Sequence, residues 1–218
     1  MRIVYFMEVL SSWCHWAEPT WAELQRHYAG RVDFQWRIAL MPPEAFPVSA
    51  NQTDWFYRRS GTISRAPYML NSGWFQDERK GDYTAPNLVA EAGRDFGYND
   101  DRLRLALAEA GIRQGLKIGD IQTAVKAASK ATGLDPEALQ ARALSPEIRA
   151  RVDASTADFL AHRIDQRPAF IITDPIGDKA VFSGLTRLAP LRATIDAMLE
   201  DSAAYATHAA HFGTAPAN

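Results

Sequence analysis

The sequence predicts an α/β fold whose sheet is built in two parts, β-α-β at the start of the chain and β-β-α near its end, with a block of helices between them. Three observations predict it. Residues 1–10 (MRIVYFMEVL) form a nearly continuous apolar run with one charge, Glu8, near its end, the pattern of a strand buried on both faces. Val32, Phe34, Trp36, Ile38 and Leu40 alternate with Asp33, Gln35, Arg37 and Ala39, the period of a strand with one less buried face. Far downstream, the apolar residues 169–173 and their partner 179–183 flank Asp174-Pro175-Ile176-Gly177-Asp178, whose Pro and Gly punctuate a turn.

The elements follow in order. After the first strand comes Ser11-Ser12-Trp13-Cys14-His15-Trp16, which contains the chain's single cysteine. Serines favour helix N-caps, and residues 16–29 carry Trp21, Leu24 and Tyr28 at helical spacing, closed by Gly30. Pro19 is expected to kink this helix or end its first segment. The site therefore lies where a strand hands over to a helix. There the backbone N–H groups and the helix dipole favour negative charge, and a thiolate is stabilised relative to a thiol. Met41-Pro42-Pro43 stops the second strand, and a strand–helix–strand start implies a right-handed crossover with parallel pairing.

Residues 44–84 show no clean period but are rich in aromatics, including Trp55, Phe56, Tyr57, Tyr68, Trp74 and Phe75. Two readings are open: a lid or pocket wall, or aromatic packing of a helical subdomain. Residues 86–165 read as helices, with Asp135-Pro136-Glu137 and Ser145-Pro146-Glu147 as two strong starts, each a cap, a proline at N1 and an acid in the first turn. A last helix is expected over about 190–201, and the Ala-rich residues 202–218 are expected to be a loosely held tail. The expected organisation is one domain from residues 1–43 and 166–201, an inserted lid and helical subdomain over 44–165, and the tail.

Composition narrows the function. The chain has 218 residues, 47% hydrophobic and 23% charged, with a net charge of -2, which gives no electrostatic case for nucleic acid or an anionic membrane. No apolar run approaches the roughly 20 residues of a membrane span. The start within a strand, with no charged leader and cleavage site, sets the expectation of a cytoplasmic protein. One cysteine excludes an internal disulfide and a two-cysteine redox cycle. His208 and His211 have no carboxylate or cysteine partner in the pattern, so no metal is expected.

Four stretches carry a resemblance. They are Glu8-Val9-Leu10-Ser11-Ser12-Trp13-Cys14, the helix end and turn of residues 110–120, the helix break of residues 131–135, and Arg167-Pro168-Ala169-Phe170-Ile171-Ile172 with Phe182-Ser183-Gly184. In this order and at these distances they resemble the DsbA-type thioredoxin superfamily. The branch they look closest to includes 2-hydroxychromene-2-carboxylate isomerases and kappa-class glutathione transferases. The resemblance covers roughly residues 1–200 and implies a thioredoxin-like fold with an all-helical insertion. It also implies an enzyme, either a thiol-dependent oxidoreductase or a glutathione-dependent transferase or isomerase.

The motif departs from the family's redox pattern. In one register Ser11 takes the nucleophilic cysteine position and Cys14 the second, with Pro19 in support. In the other, Trp13-Cys14 matches the Trp-Cys of the redox motif and Ala17 replaces the resolving cysteine. By the resemblance, Ser11 and Cys14 are the catalytic candidates. Ser12, Trp13, Arg167 and a cis Pro168 would bind glutathione as co-substrate, the backbone of Arg167 pairing with it like an added strand. The charge of Arg167 would lower a thiolate pKa or bind a carboxylate. A cap alone also accounts for Ser11, and an inert core thiol for Cys14. Three readings stay open: a glutathione-using enzyme acting on a small apolar substrate, a monothiol oxidoreductase with Cys14 attacking a thiol or disulfide substrate, and a non-catalytic scaffold that binds a peptide or partner. A homodimer is common among kappa-type relatives.

Overall fold

The computed structural model describes residues 1–213. Its four strands are β1 (Arg2–Met7), β2 (Asp33–Ile38), β3 (Ala169–Thr173) and β4 (Lys179–Ser183), and they lie in the order β2-β1-β3-β4. β1 pairs parallel with β2 and antiparallel with β3, and β3 pairs antiparallel with β4. The apolar run at the N-terminus thus becomes an inner strand, and its period-two alternation divides two cores. Ile3, Tyr5 and Met7 face the large core, while Val4 and Phe6 pack with Ala39, Phe159, Ala169 and Ile171 on the other side.

Helices α1 (Ser12–His27) and α8 (Leu188–Phe212) cover the first face, joined by Tyr28, whose hydroxyl donates to Asp196 Oδ1 at 2.7 Å. The insertion supplies α2 (Ala50–Ser64), α3 (Ala85–Gly93), α4 (Arg102–Ala108), α5 (Ile121–Thr132), α6 (Pro136–Ala143) and α7 (Pro146–Ala161). Asp135 and Ser145 cap α6 and α7 as their sequence signals require, accepting from Ala138 N and Ile148 N. α7 places Phe159 on the second face. Under α1 the guanidinium of Arg104, 1% exposed, donates to both oxygens of Glu18 at 2.6 and 2.8 Å and to Asp101 at 2.8 Å. Trp21 Nε1 also donates to Asp101, so α1 and α4 share one buried ionic cluster.

Three expectations change. α1 continues through Pro19 to His27 rather than ending there. The region expected to be irregular contains α2, a 15-residue helix whose N-cap Ser49 accepts from Gln52 N. The C-terminal helix does not stop near residue 201 but runs to Phe212 and carries the exposed Tyr205 and Phe212; its register also holds His208 and His211. The final residues of the expected tail, 214–218, lie outside the described residues. Among the described residues, no helix is long and apolar enough to cross a membrane.

Candidate active site

Ser11 is the N-cap of α1. Its backbone is extended (φ -74°, ψ 117°) and its Oγ accepts from Cys14 N at 3.3 Å. The Ser11 side chain also lies within hydrogen-bond reach of the Cys14 thiol. Cys14 lies one turn further in and is 1% exposed. Burial pushes its thiol up to about 12, against a smaller lowering by the Ser11 side chain. The helix N-terminus alone would favour a thiolate; the apolar surroundings prevail, and Cys14 is a protonated core thiol.

Pro168 follows a cis peptide bond, and its carbonyl accepts from Gly184 N at 2.8 Å. The backbone N–H and C=O of Arg167 have no partner among the described residues. Three of the five N–H donors of the Arg167 side chain are engaged by backbone carbonyls. Its Nε donates to Ala39 O at 2.7 Å, its two terminal nitrogens donate to Leu40 O at 2.6 Å and Asp165 O at 2.9 Å, and the guanidinium lies 4.3 Å from the centre of the Phe159 ring. The sequence offered two roles for this charge, lowering a thiolate pKa or binding a carboxylate. In the fold these three bonds fasten the loop before β3 to the residues just after β2, and they leave two guanidinium N–H groups over.

Two clefts meet at these residues. Trp13, Gln166 and Arg167 line both. The first cleft, about 620 Å³, runs from Trp16 to Gly184 and Thr186 and is lined by Arg65, Arg167 and Arg187, with no carboxylate side chain among its lining residues. The second, about 730 Å³, is walled by Leu40, Met41, Pro42, Pro43, Phe46, Tyr83 and Leu160, and Glu8 and Ser11 lie in its lining. Trp13 is further held by Arg59 of α2, whose guanidinium lies 5.7 Å from its ring. Ser12 is nearly buried and lines a small neighbouring cavity rather than either cleft.

Glu8 was visible in the sequence only as a lone charge closing an apolar strand. It is 0% exposed. Its Oε1 accepts from Asn87 Nδ2 at 2.5 Å and its Oε2 from Leu10 N at 2.8 Å. Burial pushes this carboxyl up to about 7, against the lowering by Asn87, the Leu10 amide and Arg167. Asn87, Arg65 and Arg187 were likewise not singled out, because nothing in their local pattern announces a cleft. His15 does not reach the thiol region. Its Nε2 meets Tyr68 OH at 2.9 Å, and burial, with Arg113 nearby, holds it down to about 4. Among the described residues no group of His, Cys, Asp and Glu could hold a metal ion.

A four-stranded mixed sheet, a helix capped by Ser11 at the end of β1 and a cis proline before β3 define a protein of thioredoxin-like fold. The chain belongs to the DSBA-like thioredoxin domain family, whose model matches residues 2–196. Among solved structures it is similar to a putative protein disulfide isomerase from Nitrosomonas europaea, at 14% identity over 92% of this chain and 98% of that one, with a TM-score of 0.72. It is also similar to the cytosolic disulfide reductase DsbM from Pseudomonas aeruginosa with GSH, at 17% identity over 92% and 100% of the two chains and a TM-score of 0.67. A third is a 2-hydroxychromene-2-carboxylate isomerase, at 14% identity over 94% and 99% and a TM-score of 0.64. At these identities the likeness is one of fold. No curated protein matches the chain.

Proposed function

We propose that the protein binds glutathione in the arginine-lined cleft and activates its thiol at Ser11 for transfer to, or isomerisation of, a small apolar co-substrate in the second cleft. The observation that carries this reading is the separation of charge between two clefts that meet at Trp13, Gln166 and Arg167, with Ser11 in the lining of the second. Glutathione carries two carboxylates, and the first cleft offers Arg65 and Arg187 with no lining carboxylate to oppose them. The unpartnered backbone of Arg167 suits strand-like pairing with a peptide. The Ser11 hydroxyl, with the N-terminus of a 16-residue helix behind it, suits a thiolate acceptor. The DsbM structure was solved with GSH, which agrees with a glutathione site on this fold. The burial of Cys14 speaks against its acting as the attacking thiol, and so against the monothiol reading.

Calorimetric titration with glutathione tests this. Saturable binding is expected, weakened roughly tenfold by Arg187→Ala, as for loss of one charge-assisted contact. Ser11→Ala is expected to reduce the fraction of bound glutathione present as thiolate, read from its ultraviolet absorbance. Absence of binding to the wild-type chain refutes the reading.

A further inference from the structure

We propose that the guanidinium of Arg167 is a catalytic group of the second cleft, where its two unengaged N–H groups hold the carbonyl oxygen of a neutral, apolar α,β-unsaturated ketone. This rests on the reading above for the thiol that attacks. It extends that reading to the class of co-substrate and to the group that receives the charge.

The carbonyls that hold the guanidinium also place it. Nε donates to Ala39 O, one terminal nitrogen to Leu40 O and the other to Asp165 O, which leaves one N–H on each terminal nitrogen. Leu40 and Asp165 line the second cleft, and neither lines the first. The backbone of Arg167 can therefore serve one cleft while its head serves the other. The residue is half-buried, so a ligand can reach it. Burial draws the Arg167 pKa down, and the groups near enough to oppose this are Cys14, Glu8 and Asp165, which sets the head beside the first turn of α1. An arginine stays charged through such a shift.

Other polar side chains of the cleft are spent within the fold. Asn87 accepts from Val9 N and donates to Glu8, Thr156 accepts from Leu40 N and donates to Val152 O, and Tyr83 accepts from Gln76 N and donates to Gln76 O. Against the apolar wall from Leu40 to Phe46, Arg167 is a donor held by three bonds and by the Phe159 ring at 4.3 Å. Such a group has no need to reorganise when charge appears beside it. Three carbonyl oxygens already bear on the guanidinium, and the exposed Asp82 and Asp165 line the same cleft. They oppose a ligand that arrives as an anion. A neutral ketone gains its charge only on reacting, so the two N–H groups hold the reacting state more tightly than the bound substrate.

The step balances without an oxidant. The glutathione thiol loses its proton to water, and the thiolate sulfur forms a bond to the β-carbon of the ketone. The π pair of the C=C bond shifts toward the carbonyl, and the negative charge comes to rest on the oxygen between the two N–H groups. The α-carbon then takes a proton from water, giving a thioether ketone. Alternatively, rotation about the former double bond and expulsion of the thiolate gives the isomer.

The first test uses trans-4-phenylbut-3-en-2-one and the wild-type protein with no glutathione present, so that nothing reacts. The ketone is expected to bind and its absorbance band to move to longer wavelength, the signature of a carbonyl polarised by a cation. trans-Cinnamate, which ends in a carboxylate instead, is expected to bind about tenfold more weakly. The second test adds glutathione and compares the ketone with benzyl chloride, whose reaction sends the charge away as chloride; the thioethers are quantified by chromatography above the uncatalysed rate. Arg167→Met is expected to lower the rate on the ketone about a hundredfold and that on benzyl chloride by less than about threefold. A variant that merely loosens the loop lowers both alike. Equal losses on the two substrates, a bound ketone with an unshifted band, no ketone binding, or cinnamate binding as tightly as the ketone overturns the proposal. The spectrum of the wild type decides the matter if Arg167→Met does not fold. A bound, red-shifted ketone together with no glutathione binding removes only the reading of the first cleft.

Discussion

Burial of Glu8 makes the stability of this protein depend on pH in a direction opposite to that of most carboxylates. The group lies in the folded chain with no exposure, and its value rises from the ordinary 4.5 to about 7. The folded state therefore binds the proton more tightly than the unfolded state. Below pH 4.5 Glu8 is protonated in both states, and its contribution to stability is at its most favourable and flat. Between 4.5 and about 7 the unfolded chain has released the proton and the folded chain has not, so stability falls as pH rises. Above about 7 both are ionised and the loss is complete. At roughly 1.4 kcal/mol per pH unit, the gap between the two values corresponds to a loss of about 3 kcal/mol. Urea denaturation of wild type and Glu8→Gln at a series of pH values from 4.5 to 8.5 isolates the term, because other titrating groups cancel in the difference. The expected difference curve falls by about 3 kcal/mol in disfavour of the wild type as pH rises, with its slope ending near 7. A difference curve flat across this range, or one falling in the other direction, refutes the assignment of Glu8 as a carboxyl held neutral by burial.

Two further outcomes follow from groups away from the clefts. Arg104→Met removes the cation shared by Glu18 and Asp101 and leaves two carboxylates facing each other under α1, so it is expected to cost about 3–5 kcal/mol in urea denaturation; adding Glu18→Gln is expected to restore part of that loss, and purely additive effects would refute the shared cluster. Cys14 is expected to resist iodoacetamide in the native protein at pH 7.5 and to react fully in 6 M urea (roughly the upper end of a small protein's unfolding transition), as read by mass spectrometry; rapid native labelling would show that the thiol is neither buried nor protonated.

The parts of the fold legible in the sequence are those whose cause is local. The continuous apolar run of β1, the alternation of β2 and the cap-Pro-acid starts of α6 and α7 each carry their own signal within a few residues. Ser11 was legible as a cap for the same reason. α2 was not, because Asn51, Thr53, Asp54, Ser60 and Gly61 are poor helix formers. Its helix is held by tertiary contacts, such as the bond from Trp16 Nε1 to Ser60 Oγ at 3.1 Å, and its one local sign was the pair Ser49 and Gln52. The two clefts were illegible as a matter of principle. Glu8 and Asn87 meet across 79 positions of sequence, and Arg167 reaches Leu40 across 127. The resemblance supplied Arg167 and Pro168 as site residues, but the fate of the Arg167 side chain depends on carbonyls that no pattern near it announces.

The strand order also sets the sequence in which this protein can be completed. β1 has a neighbour on one side once residue 38 has been made, but its other edge pairs with β3, which begins at residue 169. Until then a row of backbone amides and carbonyls on the most apolar segment of the chain has no strand beside it. That is the condition in which nascent sheets join one another. The whole helical insertion is synthesised in that interval, and α7, emerging last, brings Phe159 onto the very face where β1 and β3 will meet. The loop carrying Arg167 lies immediately before β3 and residues 184–187 immediately after β4, so the strands that seal the exposed edge are flanked by cleft-lining residues, and a chain cut short before residue 169 has neither a closed sheet nor a complete first cleft.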